Sequence, residues 1–558
     1  MWASPTLRRP SLTSPPPARR SAIILSDVVF IAAALKMAVA MSPDGLIKGR
    51  ALMGVAIGLA SIVGPVYIAE SAPNSMRATM VVMYSIEIGV GTSLAYTLDF
   101  GFTHTYLTWR LMLGVAVVPA VLQMVAFCVL PESPRWLAQY GRLDEAKETM
   151  DSLALDPADK VRDRVELDAV YERAKWLKTP EGQAESHNYR PRELATQLAL
   201  GIGLFLMNNF SGECALVYYS IEIIGMAGVV SEGAIAQAII NIGMCATAGV
   251  LIGFFLIDRI GRRRLIAISG FGTCASLFLL ALSFSLAASR SPGVLPPDAA
   301  SLPESCSIPV STCTQCLQVG CAFCGEPYAG PGNPTPGLCF NRVDAFKTSA
   351  RSVCEAAGAN ATTAVAAMTT TAAAAATDSA NAAAALLVGG TSPAPVAPAP
   401  RYEMYRQGCP SGWGWLSLTA LCSFQFWFQI GLGIVPSAVN AEYYPNAVRG
   451  LCNGSAVGTS WLGNFCVSST FLSLVAALGA SRTFCINATA VLTGTILTQF
   501  FLPETCGLSF PEIQSLFKLY QQPGSPPPWE LHAVILSQRD AANSPRAGDE
   551  DEFRVPVA

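Results

Sequence analysis

Three consecutive stretches decide the fold: IAQAIINIGMCATAGVLIGFFLI (235–257), DRIGRRR (258–264) and LIAISGFGTCASLFLLALSFSLA (265–287). The outer two are apolar runs of 23 residues with no Asp, Glu, Lys or Arg, and five of the seven residues between them are charged. A helix rises about 1.5 Å per residue, so each run reaches about 34 Å. That length crosses a hydrocarbon core of about 30 Å. Two such runs joined by a short charged turn read as antiparallel membrane-spanning helices.

The same pattern extends along the chain. Runs of spanning length occupy 22–41, 51–70, 80–98, 111–130, 194–213, 235–257, 265–287, 414–435, 450–475 and 484–502. Of the 558 residues, 51% are hydrophobic and 13% charged, and mean hydropathy is +0.40. Soluble domains carry about 25% charged residues. Ten apolar runs exceed what a soluble chain of this size can bury, so the expected class is an all-α integral membrane protein with about ten spans. A net charge of −3 gives no footprint for nucleic acid. P-loop, HExxH and nucleophile-elbow patterns are absent, so no enzyme, cofactor or metal site is expected.

Arginine and lysine set the orientation, because positive loops stay cytoplasmic. Arg8, Arg9, Arg19 and Arg20 precede the first run, Arg77 follows the second, and the 131–193 loop is rich in both residues. Arg259, Arg262, Arg263 and Arg264 follow the sixth run, and Arg449 the eighth. Cytoplasmic termini place all of these on one side and 288–413 outside. The chain divides into a polar N-terminus (1–18), four spans (19–137), a charged linker (138–193) and three spans (194–287). An inserted segment (288–413), three spans (414–502) and a tail (503–558) follow.

The insertion holds Cys306, Cys313, Cys316, Cys321, Cys324, Cys339, Cys354 and Cys409, followed in part by an Ala/Thr/Pro stalk over 355–400. The Cys313–Cys324 spacing also suits a zinc knuckle. An even count on an oxidising face favours disulfides. Asn360-Ala-Thr is a glycosylation acceptor on the same face.

Acidic residues recur beside arginines at the cytoplasmic span ends: PVYIAESAPNSMR (65–77), LPESPRWL (130–137), IDRIGRRR (257–264), NAEYYPNAVRG (440–450) and LPETCGLSFPEIQSLF (502–517). Positive-inside anchoring accounts for the arginines, not for Glu70, Glu132, Asp258, Glu442 and Glu504. This ordered set resembles the sugar-porter family of the major facilitator superfamily over about 20–517. The resemblance implies a cytoplasmic ion-pair gate formed by Glu70, Arg77, Glu132, Arg135, Asp258, Arg262, Arg263, Glu442 and Arg449. CTQCLQVGCAFCGE (313–326) with QGCPSGWGWLSLTALC (407–422) resembles the plexin-like disulfide insertion of proton-coupled myo-inositol transporters of the plant and animal type.

The chain departs from the family in two respects. The first run resembles the family's third helix, which implies that two helices, and the proton-accepting Asp on the first, are missing. A truncated chain that transports poorly alone is the expectation. The implied substrate positions are Thr92, Asn208, Asn209, Cys214, Gln429, Ser437, Ser460 and Trp461, of which Thr92, Asn208, Asn209, Cys214, Ser437 and Ser460 depart from the family's residues. Asn208, Asn209, Gln429 and Trp461 can still hold a hydroxylated solute. Intramembrane charges are functional candidates. Asp27 matches a position often acidic in the family, Lys36 lies near an interface, and Glu87 is the candidate for proton coupling. The reading is a plasma-membrane carrier, a monomer in the bilayer, moving a sugar or myo-inositol-like cyclitol with protons. A facilitative hexose carrier and a non-transporting solute sensor are the rivals.

Overall fold

The computed structural model describes residues 18–72, 77–102, 108–153, 157–176, 179, 191–229, 232–294, 311–318, 321–325, 336–340, 403–405, 408–445, 448–508, 510–522 and 524–543. A first bundle contains α1 (Arg19–Ala38), α2 (Pro43–Ser71), α3 (Arg77–Phe102), α4 (Thr108–Gly114) and α5 (Val117–Val129). Three polar helices follow: α6 (Pro134–Gln139), α7 (Leu143–Leu153) and α8 (Pro157–Trp176). A second bundle begins with α9 (Pro191–Phe210), α10 (Glu213–Tyr218), α11 (Ser220–Met226), α12 (Glu232–Ile260) and α13 (Arg262–Ser289). A small insertion holds α14 (Cys313–Gln318), β1 (Ala322–Gly325), β2 (Leu338–Phe340) and β3 (Glu403–Tyr405). The second bundle resumes with α15 (Gly414–Ile430), α16 (Val435–Tyr443), α17 (Arg449–Leu478) and α18 (Ala480–Phe501), before the terminal helices α19 (Phe510–Tyr520) and α20 (Pro528–Asn543).

Nine helical stretches among the described residues are long and apolar enough to cross a membrane. The tenth expected run, 80–98, lies inside α3, whose 26 residues span about 39 Å.

Three spans are broken. The run over 111–130 divides between α4 and α5. The run beginning at 194 continues past Gly212, which adopts φ +83°, into α10. The run beginning at 414 breaks over 431–434 and resumes in α16. Pro436 explains the last break. Proline has no N–H to donate four residues back, so the Leu432 carbonyl is released. Asn208 Nδ2 donates to that carbonyl at 2.7 Å. Ser269 Oγ serves the other loose ends, accepting from Leu432 N at 2.9 Å and donating to Trp427 O at 2.7 Å.

The core is concentrated in the second bundle. There α12 packs on α15, α13 packs on α15 and α18, and α9 packs on α17. In lipid, helices gain little from apolar burial and associate by close packing of small residues. Gly249 and Gly253, four apart on α12, supply such a face. A Cβ on either would lie 2.4 Å from a carbonyl oxygen of α15, Phe426 O for Gly249 and Ile430 O for Gly253. The halves meet where α3 crosses α12. There the Ser93 and Thr247 hydroxyls are 2.9 Å apart, and Thr247 Oγ1 donates to Gly89 O at 3.1 Å.

In the insertion, β1 lies between β2 and β3, antiparallel to both. Cys313 is bonded to Cys409 across 96 residues, and Cys316 to Cys339. Cys321 and Cys324 are disulfide-bonded as well. Cys306, Cys354 and Asn360 lie outside the described residues. The module is seated on the bundle by Thr314, whose N and Oγ1 donate to Ser291 Oγ at 3.0 and 2.8 Å.

Two outcomes follow from this packing. Gly253→Val should destabilise the detergent-purified protein by about 1–3 kcal/mol through overpacking, read as a lower melting temperature. Gly54→Ala, whose Cβ meets nothing within 4 Å, should leave it unchanged. Non-reducing peptide mapping should recover Cys313–Cys409 and Cys316–Cys339 as linked pairs. Bound zinc with free thiols at these positions would overturn that pairing.

Candidate transport site and charged gate

At the arginine-rich end of the spans the two bundles build the same cluster from different parts of the chain. In the first, Arg19 binds Glu70 at 3.2 Å and the Ser133 hydroxyl donates to Glu70 Oε2 at 2.7 Å. In the second, Arg262 binds Glu442 at 3.0 Å and the Thr505 hydroxyl donates to Glu442 Oε2 at 3.0 Å. The neighbouring arginines are also alike. Arg20 donates to Phe127 O and Cys128 O at 2.7 and 2.6 Å, and Arg263 donates to Gln499 O.

Among the described residues, Glu132 and Glu504 meet backbone N–H groups rather than the cationic side chains the sequence suggests. Glu132 accepts from the backbone N–H of Arg20 at 3.1 Å and of Ser133 at 3.0 Å. Glu504 accepts from Arg262 N at 2.9 Å, Arg263 N at 3.0 Å, and Thr505 N and Cys506 N at 3.1 Å. The reason is local. Helices α1 and α13 begin after Ala18 and Gly261, and neither residue offers a capping side chain. A helix N-terminus leaves four N–H groups unpaired and carries partial positive charge. Each glutamate caps a helix remote in sequence.

The other expected gate residues are dispersed. Arg135 binds Glu166 of α8 at 2.5 Å, tying the first bundle to the polar helices. Asp258 binds Arg262 at 3.1 Å within one helix turn. Arg77 and Arg449 open α3 and α17, and their side chains lie outside the described ones. The described ion pairs therefore act within each half. Ser133 and Thr505 escape the sequence reading. The pairing of PES with PET, one per half, is the signal that could have found them.

Toward the middle of the bundle, polar residues gather at the helix breaks. Asn208 reaches α15–α16 through Leu432 O. Asn209, 4% exposed, donates to Phe205 O at 2.8 Å and to Ser460 Oγ at 3.0 Å. Cys214 is buried beside Asn464 O at 3.9 Å. Gln429 is half-buried and makes no hydrogen bond among the described residues. Gln425, one turn earlier, is buried with Oε1 unpartnered. Three expected residues are turned away. Thr92 and Ser437 donate to carbonyls of their own helices, Ile88 O and Ile434 O, at 2.8 Å each. Trp461 is 44% exposed. Of the intramembrane charges, Asp27 is buried with Oδ2 unpartnered, while Lys36 and Glu87 are exposed. Glu213, which closes the fifth run just after Gly212, was not singled out by sequence.

A multi-pass bundle with two matching charged clusters and broken, amide-bearing helices between them is the architecture of a major-facilitator carrier. The family model "Sugar (and other) transporter" matches residues 17–390 and 384–517, and the chain belongs to that family. It is 31% identical over 521 residues to "Probable inositol transporter 2" of Arabidopsis thaliana, covering 90% of this chain and 80% of that protein. It is 29% identical to the "Proton myo-inositol cotransporter" of Homo sapiens, covering 89% and 72%. The proton:xylose symporter XylE bound to 6-bromo-6-deoxy-D-glucose has the same fold, with TM-score 0.57, 18% identity, and coverage of 89% and 83%.

Removing the Glu504 carboxylate in Glu504→Ala leaves four N–H groups without it and should cost about 3 kcal/mol. Thr505→Val should cost about 1 kcal/mol and Thr505→Ser almost nothing. Thermal unfolding in detergent checks the order.

Proposed function

We propose that this chain moves a cyclitol or sugar, myo-inositol first, across the plasma membrane in symport with protons, acting as a monomer. The observation that carries this is the convergence of Asn208 and Asn209 with the α15–α16 break beside Gln429. Helix breaks at mid-membrane present amides and free backbone groups to a solute, as discontinuous helices do in other carriers. Amides donate and accept in one plane and suit vicinal hydroxyls. The names of the plant and human relatives point to inositol and, for the human protein, to protons. The family's carriers make a catalytic role unnecessary.

The two charged clusters supply the conformational part. Each holds its own bundle rigid at one membrane face, so the bundles can rock against each other about the α3–α12 crossing. A solute that binds the two arrangements unequally shifts their populations.

The test is uptake of labelled myo-inositol and glucose into proteoliposomes, with and without an inward proton gradient. Gradient-driven accumulation of myo-inositol is expected. Uptake indifferent to the gradient would favour a facilitative carrier, and binding without flux would favour a sensor. Gln429→Ala should raise KM roughly tenfold, equivalent to about 1.4 kcal/mol, with little change in melting temperature.

A further inference from the structure

Glu213 is an acidic residue placed where the seventh helix of the family's order is interrupted. Gly212 takes φ +83°, and a Cβ there would lie 2.4 Å from Asn487 Nδ2 of α18, so the break is held from outside. Glu213 follows at once, four residues after Asn209 and one before the buried Cys214. Its backbone N–H donates to Ser211 Oγ at 3.3 Å. Its carboxylate accepts no hydrogen bond and meets no cation among the described residues.

The groups facing it come from both halves. Tyr96 of α3 lies within its electrostatic reach and has Asp99 as a second acidic neighbour. Tyr218, on Glu213's own helix, is paired with Asn464 of α17 and feels Arg50 of α2. The other described charges on neighbouring elements are removed from it along their helices: Glu87 on α3, Lys48 on α2, Glu222 on α11 and Arg482 opening α18. An unpaired carboxylate at membrane depth is costly as an anion and inexpensive as an acid. Proton binding there neutralises the Gly212 break, one turn from the solute amides.

We propose that Glu213 is the carboxylate whose protonation is coupled to solute movement, because it lies at the Gly212 helix break, one turn from Asn209. A proton from the outer water forms an O–H bond on the carboxylate. The same oxygen releases it to the inner water after the bundles rock, with no other bond made or broken. The inference rests on the carrier reading.

The experiment compares wild type, Glu213→Gln and Glu222→Gln in proteoliposomes. It measures gradient-driven accumulation of myo-inositol and counterflow, which needs no net proton movement. A parallel infrared titration follows the carboxyl groups of the purified proteins and needs no transport. Glu213→Gln should lose accumulation more than tenfold, lose counterflow far less, and lack one titrating carboxyl component. Glu222→Gln should behave as wild type. Undiminished accumulation in Glu213→Gln, or an infrared titration identical to wild type, overturns the proposal. Should wild type move no myo-inositol by either assay, the carrier reading fails on its own, and the infrared comparison still decides whether Glu213 titrates. A Glu213→Gln protein that does not fold is replaced by Glu213→Asp. That variant should keep the titrating component and shift the pH at which accumulation is half-maximal.

Discussion

A polar backbone group inside a bilayer has no water to bond, so each one released by a helix end or break must find a protein partner. That requirement organises the second bundle. Pro436 removes one N–H and frees Leu432 O, and Asn208 Nδ2 takes the carbonyl. The same break leaves Leu432 N and Trp427 O to Ser269. Nearby, Asn440 donates to Pro436 O at 2.8 Å and accepts from Tyr444 at 2.6 Å. The side chains that repair the break are therefore the side chains that line it. On the proposed reading a solute site and a structural repair are one construction, which limits how far Asn208 can be changed for substrate alone.

The same constraint acts at the charged ends, with a different solution. Helices α1 and α13 begin at residues that cannot cap them, and the caps arrive from Glu132 and Glu504. Because each cap comes from the end of the last span of its own half, it closes that half into a unit. Ser133 and Thr505 then link each cap to the adjacent arginine–carboxylate pair. Arg262 is held by both Glu442 and Asp258, and the Arg263 guanidinium lies 5.7 Å from the Trp529 ring of α20. His532 of the same helix contacts Cys506 O at 2.8 Å. The terminal helix thus braces the second cluster, whereas α8 braces the first through Arg135 and Glu166.

Length and apolarity made the spans legible, since lipid imposes both along a contiguous run. The sequence also marked the charged span ends, because arginines and acids cluster there in a fixed order. What it could not give was which acid meets which donor. Glu132 and Glu504 read as partners for arginine side chains, yet geometry aims them at backbone N–H groups that no sequence displays. Nor does a sequence display that the Thr92 and Ser437 hydroxyls donate to carbonyls of their own helices, as hydroxyls in apolar surroundings readily do. Glu213 was missed because it sits at the margin of an apolar run, where a carboxylate resembles an interfacial residue until the Gly212 break carries the span onward into α10.

The matched clusters also bear on mechanism. An ion pair between halves would oppose rocking directly, whereas pairs within a half stiffen the parts that move. The described pairs are of the second kind. Among the described residues, what the halves share is the α3–α12 crossing, with Ser93 and Thr247 in hydrogen-bond contact, and lighter approaches of α2 to α17 and of α3 to α16. The Ser93–Thr247 contact joins neutral hydroxyls, which exchange partners at little energetic cost and suit a surface that slides. On such a surface a single carboxylate that gains or loses charge changes the balance between arrangements more than any hydroxyl can. On the proposed reading the free energy that couples a proton to a solute is concentrated in one side chain at the Gly212 break, while the arginine clusters keep each half intact as it turns.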